Sequence, residues 1–302
     1  MRLSHIANRY LPQRARRMAR TGFVWVKNLV DHLDPHYIQA ITVEISTACN
    51  RRCVYCPVAL HSRKQEIIDP ETFGLILARI REIDWAGPLD FIHYNEPLLV
   101  PNIVQLVAQA HATCPYAELM LTTNGDRLTA DLVTTLIAAG ISQFNVTRHP
   151  PYSAGWDHRI GELRAQFPDH IHFLMSPGDE GWTNRGGLVT PPGPILVQSH
   201  CLSPQNLVIT IDAKVVLCCN DFFKVHVIAD LRERCIHDIY YGDFADIRRN
   251  LRKGKIDLDI CRRCLGAVPV SITDPSPVVG HSTSSLALAP VSAAAFNPST
   301  CS

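Results

Sequence analysis

The sequence lacks a strong charge of either sign, a long apolar run and an apolar leader. Its 29 lysines and arginines nearly balance 28 acidic residues, and the net charge of +1 argues against a general nucleic-acid-binding protein. It has no stretch of about 18 uncharged apolar residues, so we expect no transmembrane segment. No apolar segment typical of a signal peptide follows the first arginines. These absences predict a cytoplasmic protein.

Cysteine, by contrast, is abundant, with 11 residues in the chain. In a reducing compartment, clustered thiols more often bind metal or take part in chemistry than form disulfides. Three lie together at Cys49, Cys53 and Cys56, and a second group lies between Cys201 and Cys264. We interpret Cys114 and Cys235 as structural or free thiols.

From residue 40 the apolar pattern alternates between strand and helix. Strands are predicted at residues 41–47, 89–94, 117–123, 141–147 and 171–176, and helices at 69–83, 103–112 and 129–140. Strands separated by helices of this length form βαβ units with a parallel sheet. The fold class is therefore α/β, and we predict a partial (β/α)6 TIM-type barrel over residues 40–195.

The pattern changes after about residue 180. Residues 206–218 predict an antiparallel hairpin, and residues 237–254 a helix that ends at Gly254. We therefore predict a small α+β cluster-binding domain, a β-hairpin plus a helix, over residues 196–268. Residues 1–39 predict a basic helical extension, either a solvated face or a contact with an anionic substrate, carrier or membrane surface. Residues 269–302, rich in serine, proline and alanine, predict a disordered tail.

The first cysteine group offers three soft ligands, which suit zinc or an iron–sulfur cluster. Structural zinc takes four ligands, and His61 is available as a fourth, so zinc remains open. A [4Fe–4S] cluster normally takes four cysteines. Three cysteines therefore leave one iron free for a ligand from outside the chain.

The spacing Cys49-x3-Cys53-x2-Cys56, directly after the first predicted strand, resembles the signature of the radical S-adenosylmethionine (radical SAM) enzymes. The resemblance implies a [4Fe–4S] cluster on these cysteines, with SAM on the fourth iron. It also implies reductive cleavage of SAM to a 5′-deoxyadenosyl radical that abstracts a hydrogen atom from the substrate. An electron donor such as flavodoxin or ferredoxin is expected.

Polar residues follow the predicted strands, where the active site of an α/β barrel lies. The resemblance implies that SAM contacts Tyr55, Asn95, Glu96, Asn124 and Thr147, with Asn95 standing where the family has glycine. Arg148 and Arg185 are candidate catalytic residues. His149 is a further candidate for binding or deprotonating the substrate.

The second group offers a closed set of four thiols, suited to zinc or to a fully coordinated cluster. The segment from Cys201 to Cys264 resembles the SPASM/twitch extension of radical SAM enzymes. This implies an auxiliary [4Fe–4S] cluster that accepts an electron from the substrate. In the family pattern a glycine lies five residues before the second cysteine, and here Ala213 takes its place, which selects Cys218 over Cys219. The implied ligands are Cys201, Cys218, Cys261 and Cys264.

The sequence therefore predicts a radical SAM oxidoreductase that acts on a small molecule, such as a sugar or aminocyclitol in a biosynthetic pathway. Modification of a ribosomally made peptide or a protein side chain is the alternative. The stretch before residue 40 is short for a separate peptide-binding domain, which favours the small molecule. From another class of function, a non-catalytic zinc-binding interaction protein also remains open.

Overall fold

The computed structural model describes residues 37–150, 155–174, 182–195 and 199–266. Almost all of the predicted N-terminal helix and the whole predicted tail lie outside these residues. The strands are β1 (Ala40–Val43), β2 (Pro88–Asp90), β3 (Glu118–Thr123), β4 (Gln143–Thr147), β5 (Ile171–Leu174), β6 (Asn206–Ile209), β7 (Lys214–Val216) and β8 (Val227–Asp230). The helices are α1 (Pro70–Glu82), α2 (Ile103–Thr113), α3 (Ala130–Ala139), α4 (Trp156–Gln166), α5 (Ile236–Asp238), α6 (Ala245–Arg252) and α7 (Asp259–Cys264).

One sheet contains all eight strands, in the order β5-β4-β3-β2-β1-β6-β7-β8. Strands β1 to β5 are parallel to their neighbours, as the βαβ pattern predicts. The predicted hairpin is confirmed, since β6 and β7 pair in antiparallel fashion. The carboxyl ends of the parallel strands therefore meet at one edge, which is where an α/β fold places its site.

The sixth parallel strand comes from the hairpin and not from the segment before residue 195. Strand β6 pairs with β1 along its whole length, from Ala40 opposite Asn206 to Val43 opposite Ile209. This pairing satisfies the main-chain groups that β1 would otherwise leave open on that side. The region predicted as an auxiliary domain thus extends the same sheet.

Local signals explain where the helices begin and end. Helix α1 begins after Asp69, whose carboxylate accepts a hydrogen bond of 2.9 Å from Thr72 N, with Pro70 at the first helical position. Helix α3 begins after Thr129, which caps Leu132 N, and it ends at Gly140 with a φ of 121°. Both helices bury their apolar faces in the core.

The helix predicted over residues 237–254 is interrupted. A π-helical turn, Ile239–Asp243, separates α5 from α6. In a π-helix residues five apart lie closer to one face than in an α-helix, and Ile239, Tyr240 and Phe244 are all fully buried. The hydrogen bond of 3.0 Å from Phe244 N to Ile239 O closes this wider turn and brings these two buried side chains to one face.

Candidate active site

The first cysteine group lies on a tight loop between β1 and α1. Cys56 N donates a hydrogen bond of 2.9 Å to Cys53 O, and a 3-10 turn, Pro57–Ala59, follows directly. Cys53 is buried, whereas Cys49 and Cys56 are half-buried. A cavity of about 410 Å³ borders Cys49. The loop thus presents its thiols close to the carboxyl edge of the sheet.

Arg51 fixes this loop to the ends of two other strands. Its guanidinium grips Asp126 with contacts of 2.8 and 2.6 Å and donates a 2.5 Å hydrogen bond to His149 O. Asn50 donates a hydrogen bond of 2.8 Å to Asp126 and accepts one of 2.8 Å from Nδ2 of Asn124. A forked guanidinium–carboxylate pair fixes geometry as well as charge. The loop is therefore held in place by the chain itself.

The chemistry of these thiols fits a cationic group. Burial raises the pKa of Cys49 to about 11, and the neighbouring charges of Glu96, Cys53 and Cys56 raise it further, against a hydrogen bond from Arg51 N. Three thiolates at this spacing repel one another unless a metal neutralises them, and metal binding displaces their protons. Iron would supply that charge, so the residues present fit an iron–sulfur cluster.

Tyr55 lies between the loop and the end of β4. Burial raises the pKa of its phenol, and burial lowers the pKa of His149 to about 4, with Arg51 and Arg185 adding to that shift. The protonated phenol therefore donates to Nδ1 of a neutral His149, at 2.6 Å. The ring of Trp182 packs 5.0 Å from that of Tyr55. These rings form one wall of the site.

The residues predicted to contact SAM lie together at the carboxyl ends of β2, β3 and β4. Glu96 is buried and accepts hydrogen bonds from Asn124 N at 2.8 Å and from Thr123 Oγ1 at 2.6 Å. Asn95 shapes the same turn by accepting from His93 N. Thr147 is the last residue of β4 and is buried. The side chains of Asn95, Glu96 and Asn124 all make hydrogen bonds to the main chain of the loops that follow these strands.

The two candidate arginines differ in position. Arg148 Nη2 contacts Asp157 at 2.5 Å, in the first turn of α4, and its side chain is 36% exposed. Arg185 is half-buried, and its Nη1 donates to Asn220 at 3.4 Å. Its Nε has no partner among the residues that the structure describes. Arg185 is therefore the better placed of the two for a ligand.

Arg185 stands between the two cysteine groups. Burial lowers its pKa, but four acidic groups nearby outweigh that effect and raise it: the phenol of Tyr94 and the thiols of Cys219, Cys56 and Cys264. Cys56 belongs to the first group and Cys219 and Cys264 to the second. One guanidinium thus faces both groups.

The second cysteine group is assembled from three segments of the chain. Cys261 and Cys264 lie three apart on α7 and so share a helical face. Cys201 precedes β6, and Cys218 and Cys219 follow β7. Cys218 is buried and Cys219 is exposed. Burial raises the pKa of Cys218, as do the charges of Cys219, Cys261 and Cys264, so these thiols also suit a bound cation.

The hairpin before Cys218 explains one family feature. Ala213 has a φ of 61°, in the left-handed region that favours glycine. This is the position at which the family pattern has glycine. Asp221 accepts hydrogen bonds from Val225 N and His226 N at 2.9 and 2.8 Å, which closes the loop after Cys219. Its role in this structure is to shape the main chain.

A turn around Arg185 packs directly on α7. Asn184 donates a hydrogen bond of 2.8 Å to Arg263 O. Gly186 and Gly187 have φ values of 71° and 88°, and a Cβ on Gly186 would lie 2.8 Å from Ile260. The two glycines therefore allow the turn to lie against the helix that carries Cys261 and Cys264.

Several residues of this edge were not singled out from the sequence. Glu44 is fully buried, with Arg63 Nη2 at 2.6 Å, His93 Nδ1 at 3.4 Å and Lys224 Nζ at 3.4 Å. The pattern that would have revealed Glu44 is its place directly after β1, where a charged residue continues an otherwise mostly apolar run. Neither Arg63 nor Lys224 carries such a signal.

The described residues contain neither a preformed site for a metal ion nor a helix that could span a membrane. No three histidine, cysteine or acidic side chains among them are grouped so as to hold a metal ion. No helix within the described ranges is both long and apolar enough to cross a membrane.

Residues 43–149 match the model of the radical SAM superfamily. The S-adenosyl-L-methionine-dependent 2-deoxy-scyllo-inosamine dehydrogenase of Niallia circulans is 32% identical over 239 residues, which cover 74% of this chain and 91% of that protein. The chain belongs to the radical SAM family. It is therefore an enzyme of the radical SAM oxidoreductase type, and it uses SAM with a [4Fe–4S] cluster.

Solved structures agree with this assignment. The crystal structure of BtrN in complex with AdoMet and 2-DOIA matches with a TM-score of 0.68 and 30% identity, covering 75% of this chain and 92% of that chain. The structure of anSMEcpe with bound AdoMet matches with a TM-score of 0.53 at 11% identity, covering 75% of this chain and 88% of that chain. The second likeness concerns the fold alone. The α/β fold predicted for this radical SAM enzyme is confirmed.

Proposed function

We propose that this enzyme oxidises a hydroxyl-bearing carbon of a small aminocyclitol-like substrate to a carbonyl group. The observation that carries the proposal is the match to an aminocyclitol dehydrogenase over 91% of that protein's length. The matched BtrN structure holds 2-DOIA together with AdoMet. The peptide alternative has less support, because the matched anSMEcpe structures that hold a peptide are only 12% identical to this chain and share the fold alone.

In this proposal Cys49, Cys53 and Cys56 hold the cluster that binds SAM. Tyr55, Asn95, Glu96, Asn124 and Thr147 line the SAM site. When bound, the cluster and SAM supply a 5′-deoxyadenosyl radical that removes a hydrogen atom from the substrate. The chain's own contribution is to orient the reactants and keep water away from them.

Cys201, Cys218, Cys261 and Cys264 hold an auxiliary [4Fe–4S] cluster, which takes up the second electron of the oxidation. Support comes from Arg185, whose guanidinium lies near thiols of both groups and is not fully hydrogen-bonded by the described residues. A half-buried cation whose buried Nε has no partner among the described residues suits a substrate oxygen placed between the two clusters. We assign Arg185 to substrate binding, whereas Arg148 is paired with Asp157 at the surface. The physiological electron donor, flavodoxin or ferredoxin, and the cytoplasmic location stay predictions.

The test begins with the anaerobically purified protein. Two clusters predict about eight irons per chain, whereas the zinc-binding alternative predicts none. With SAM and a strong reductant, 2-deoxy-scyllo-inosamine should yield one ketone per 5′-deoxyadenosine. A protein that contains zinc in place of iron, or that cleaves SAM but leaves the aminocyclitol unchanged, would contradict the proposal.

Cysteine variants separate the two clusters. Cys49→Ala should abolish SAM cleavage, whereas Cys261→Ala should keep part of it and lose the ketone. Cys235→Ala, at a buried thiol before α5, is the matched control and should keep both activities. Comparing Cys218→Ala with Cys219→Ala decides which of the two is the ligand, because the ligand variant alone should lose about four irons.

A further inference from the structure

An open depression lies beside the first cysteine loop. It is the cavity of about 410 Å³, and Cys49 lines it together with the exposed residues Arg52 and Leu60. Its described lining includes none of the residues assigned above to SAM or to the substrate. The depression therefore gives access to a proposed cluster ligand from a side that the SAM and substrate residues do not line.

A second depression continues this surface. It has a volume of about 260 Å³ and shares Thr47 and Arg63 with the first. His61 lines the first depression, and its ring lies 5.0 Å from that of Phe223, which lines the second. Leu60 is 60% exposed and Phe223 is 40% exposed. Large apolar side chains exposed on one continuous surface are typical of the centre of a protein–protein interface.

Positive charge predominates around the two depressions. Among the described residues, four cationic side chains and one carboxylate line them: Arg52, Arg63, Lys64, Lys224 and Glu66. Arg63 and Lys224 contact the buried Glu44, and Lys224 also contacts Asp212. Even with these two carboxylates included, the cations outnumber the carboxylates by four to three. Residues 45–65 contain no acidic residue.

Arg52 and Lys64 present their charges to solvent. The Arg52 guanidinium donates to two neutral main-chain groups, Cys49 O at 2.8 Å and Arg51 O at 2.9 Å, and these bonds do not neutralise its charge. The Lys64 side chain is 83% exposed, and its pair with Glu66 at 2.7 Å joins two exposed side chains that water screens. Both cations are therefore available to carboxylates of another protein.

We propose that this surface, which we define by Arg52, Leu60, His61, Lys64 and Phe223 and call the donor face, binds an acidic one-electron carrier protein that reduces the SAM-binding cluster. This inference rests on the proposed function and concerns its first step. The reduced carrier is oxidised by one electron, and the reductive cleavage of SAM consumes that electron. A carrier bound to the donor face would lie beside Cys49 and leave the SAM residues uncovered.

The donor face has the properties that such a complex needs. Complexes of electron-transfer proteins have small interfaces, because the carrier must leave after each electron. A few exposed apolar side chains flanked by cations suit a contact of this size. Attraction between opposite charges accelerates the encounter, and salt weakens it because the charges are exposed.

The first experiment compares two sources of electrons. Anaerobic holoprotein is given SAM and either reduced flavodoxin, which is acidic, or dithionite, a small reductant that needs no docking surface, and 5′-deoxyadenosine is measured. At low ionic strength Arg52→Glu should lower the flavodoxin-driven rate about tenfold or more. Leu60→Asp should lower it about tenfold, as expected for an apolar side chain at the centre of an interface. Iron content and the dithionite-driven rate should stay unchanged.

Two variants control for charge. Lys253→Glu reverses an exposed cation outside the donor face and should behave like the unmodified enzyme with both reductants. Arg52→Lys keeps the charge and should retain most of the flavodoxin-driven rate. Raising the salt concentration should slow the unmodified enzyme with flavodoxin and should slow Arg52→Glu much less. If Arg52→Glu loses iron, Leu60→Asp decides the outcome.

The proposal would be overturned if flavodoxin drove the unmodified enzyme and both donor-face variants equally well. It would also be overturned if both variants lost iron or dithionite-driven cleavage, since the loop would then be merely destabilised. Ferredoxin is tested in parallel, and failure of both carriers to reduce an unmodified enzyme that dithionite reduces would count against the donor face. An enzyme that cleaves SAM but leaves aminocyclitols unchanged contradicts the proposed function alone.

The second experiment needs no turnover. A carbodiimide joins a lysine amine to a carboxylate that it contacts, and mass spectrometry of the cross-linked peptides locates the bond. With oxidised flavodoxin the main cross-link should form at Lys64 and be suppressed by salt. Cross-links confined to other lysines, such as Lys253, would place the carrier elsewhere and overturn the proposal.

Discussion

Replacing Gly186 by alanine would test whether the turn at Arg185 depends on glycine. Gly186 has a φ of 71°, and a Cβ there would lie 2.8 Å from Ile260 Cγ1 and 3.2 Å from Ile260 Cδ1. The matched control is Gly161→Ala on α4, where a Cβ would meet nothing within 4 Å. Both variants add the same methyl group.

The two substitutions should change the free energy of unfolding in opposite directions. A residue other than glycine in the left-handed region costs about 1–2 kcal/mol, and the close approach to Ile260 adds to this, for a total of about 1–3 kcal/mol. Alanine inside a helix is instead better than glycine by about 1 kcal/mol. The free energies of unfolding of the two variants should therefore differ by about 2–4 kcal/mol.

The assay combines urea unfolding with iron analysis and turnover. With a slope of about 3 kcal/mol per molar urea, Gly186→Ala should lower the apparent midpoint by about 0.3–1 M, and Gly161→Ala should raise it slightly. Because the turn packs on α7 and carries Arg185, Gly186→Ala should also lose iron from the auxiliary site. Ketone formation should fall more than SAM cleavage does.

The reasoning fails if Gly186→Ala unfolds at the same urea concentration as the unmodified protein and keeps all its iron. In that case neither the positive φ nor the contact with Ile260 constrains the turn. A loss of stability without loss of iron or turnover would show that the strain at Gly186 does not affect the auxiliary site. Arg185 would then tolerate a displaced turn.

Three further predictions concern the cap of α1, His149 and the clamp at Arg51. Asp69→Ala removes the cap of Thr72 N and should lower the free energy of unfolding by about 1 kcal/mol, measured by urea unfolding. The pKa of His149 is about 4 in the folded protein, against about 6.5 when unfolded, so its contribution to stability is present above pH 6.5 and is lost as the pH falls from 6.5 toward 4. His149→Gln should remove that pH dependence. If the free energy of unfolding of the variant changed with pH as it does in the unmodified protein, the prediction would be wrong. Arg51→Lys cannot keep the forked contact with Asp126, and it should lower iron content and SAM cleavage together, whereas the same change at Arg52 should not.

Local signals made much of the fold predictable. The βαβ rhythm, the Asp69 cap and the Gly140 stop all have short-range causes, and the corresponding elements were predicted within a few residues. The pairing of β6 with β1 could not be predicted in this way, because it joins residues about 166 apart and depends on which sheet edge is open. The π-helical turn was missed for a similar reason. The turn joins Ile239 and Phe244, whose burial depends on the rest of the fold and not on local propensity.

The candidate site likewise contains residues that local sequence signals point to and residues that only long-range contacts distinguish. Cysteine spacing singled out both thiol groups, because cysteines a few residues apart, as at Cys53 and Cys56 or at Cys261 and Cys264, suit a shared metal or cluster. Strand-end position predicted that Glu96 and Asn124 lie at one edge, where the structure shows them hydrogen-bonded to each other, and their contact with SAM stays a prediction. Arg63 and His93 could not be identified, because what distinguishes them is their contact with Glu44, which the sequence does not encode locally. The sequence does not distinguish Arg148 from Arg185. In the structure Arg148 pairs with Asp157, whereas Arg185 donates to Asn220.

The pairing of β1 with β6 has a consequence for synthesis of the protein on the ribosome. The hydrogen bond between Gln39 and Gln205 spans 166 residues. At about 5–20 residues per second, the edge of β1 that later receives β6 stays uncovered for about 10–30 s after it emerges. The first cysteine loop is complete throughout this interval, while the last cysteines of the second group have not yet been made. The SAM-binding cluster can therefore be inserted before the auxiliary cluster, while the sheet of the nascent chain still has an open edge.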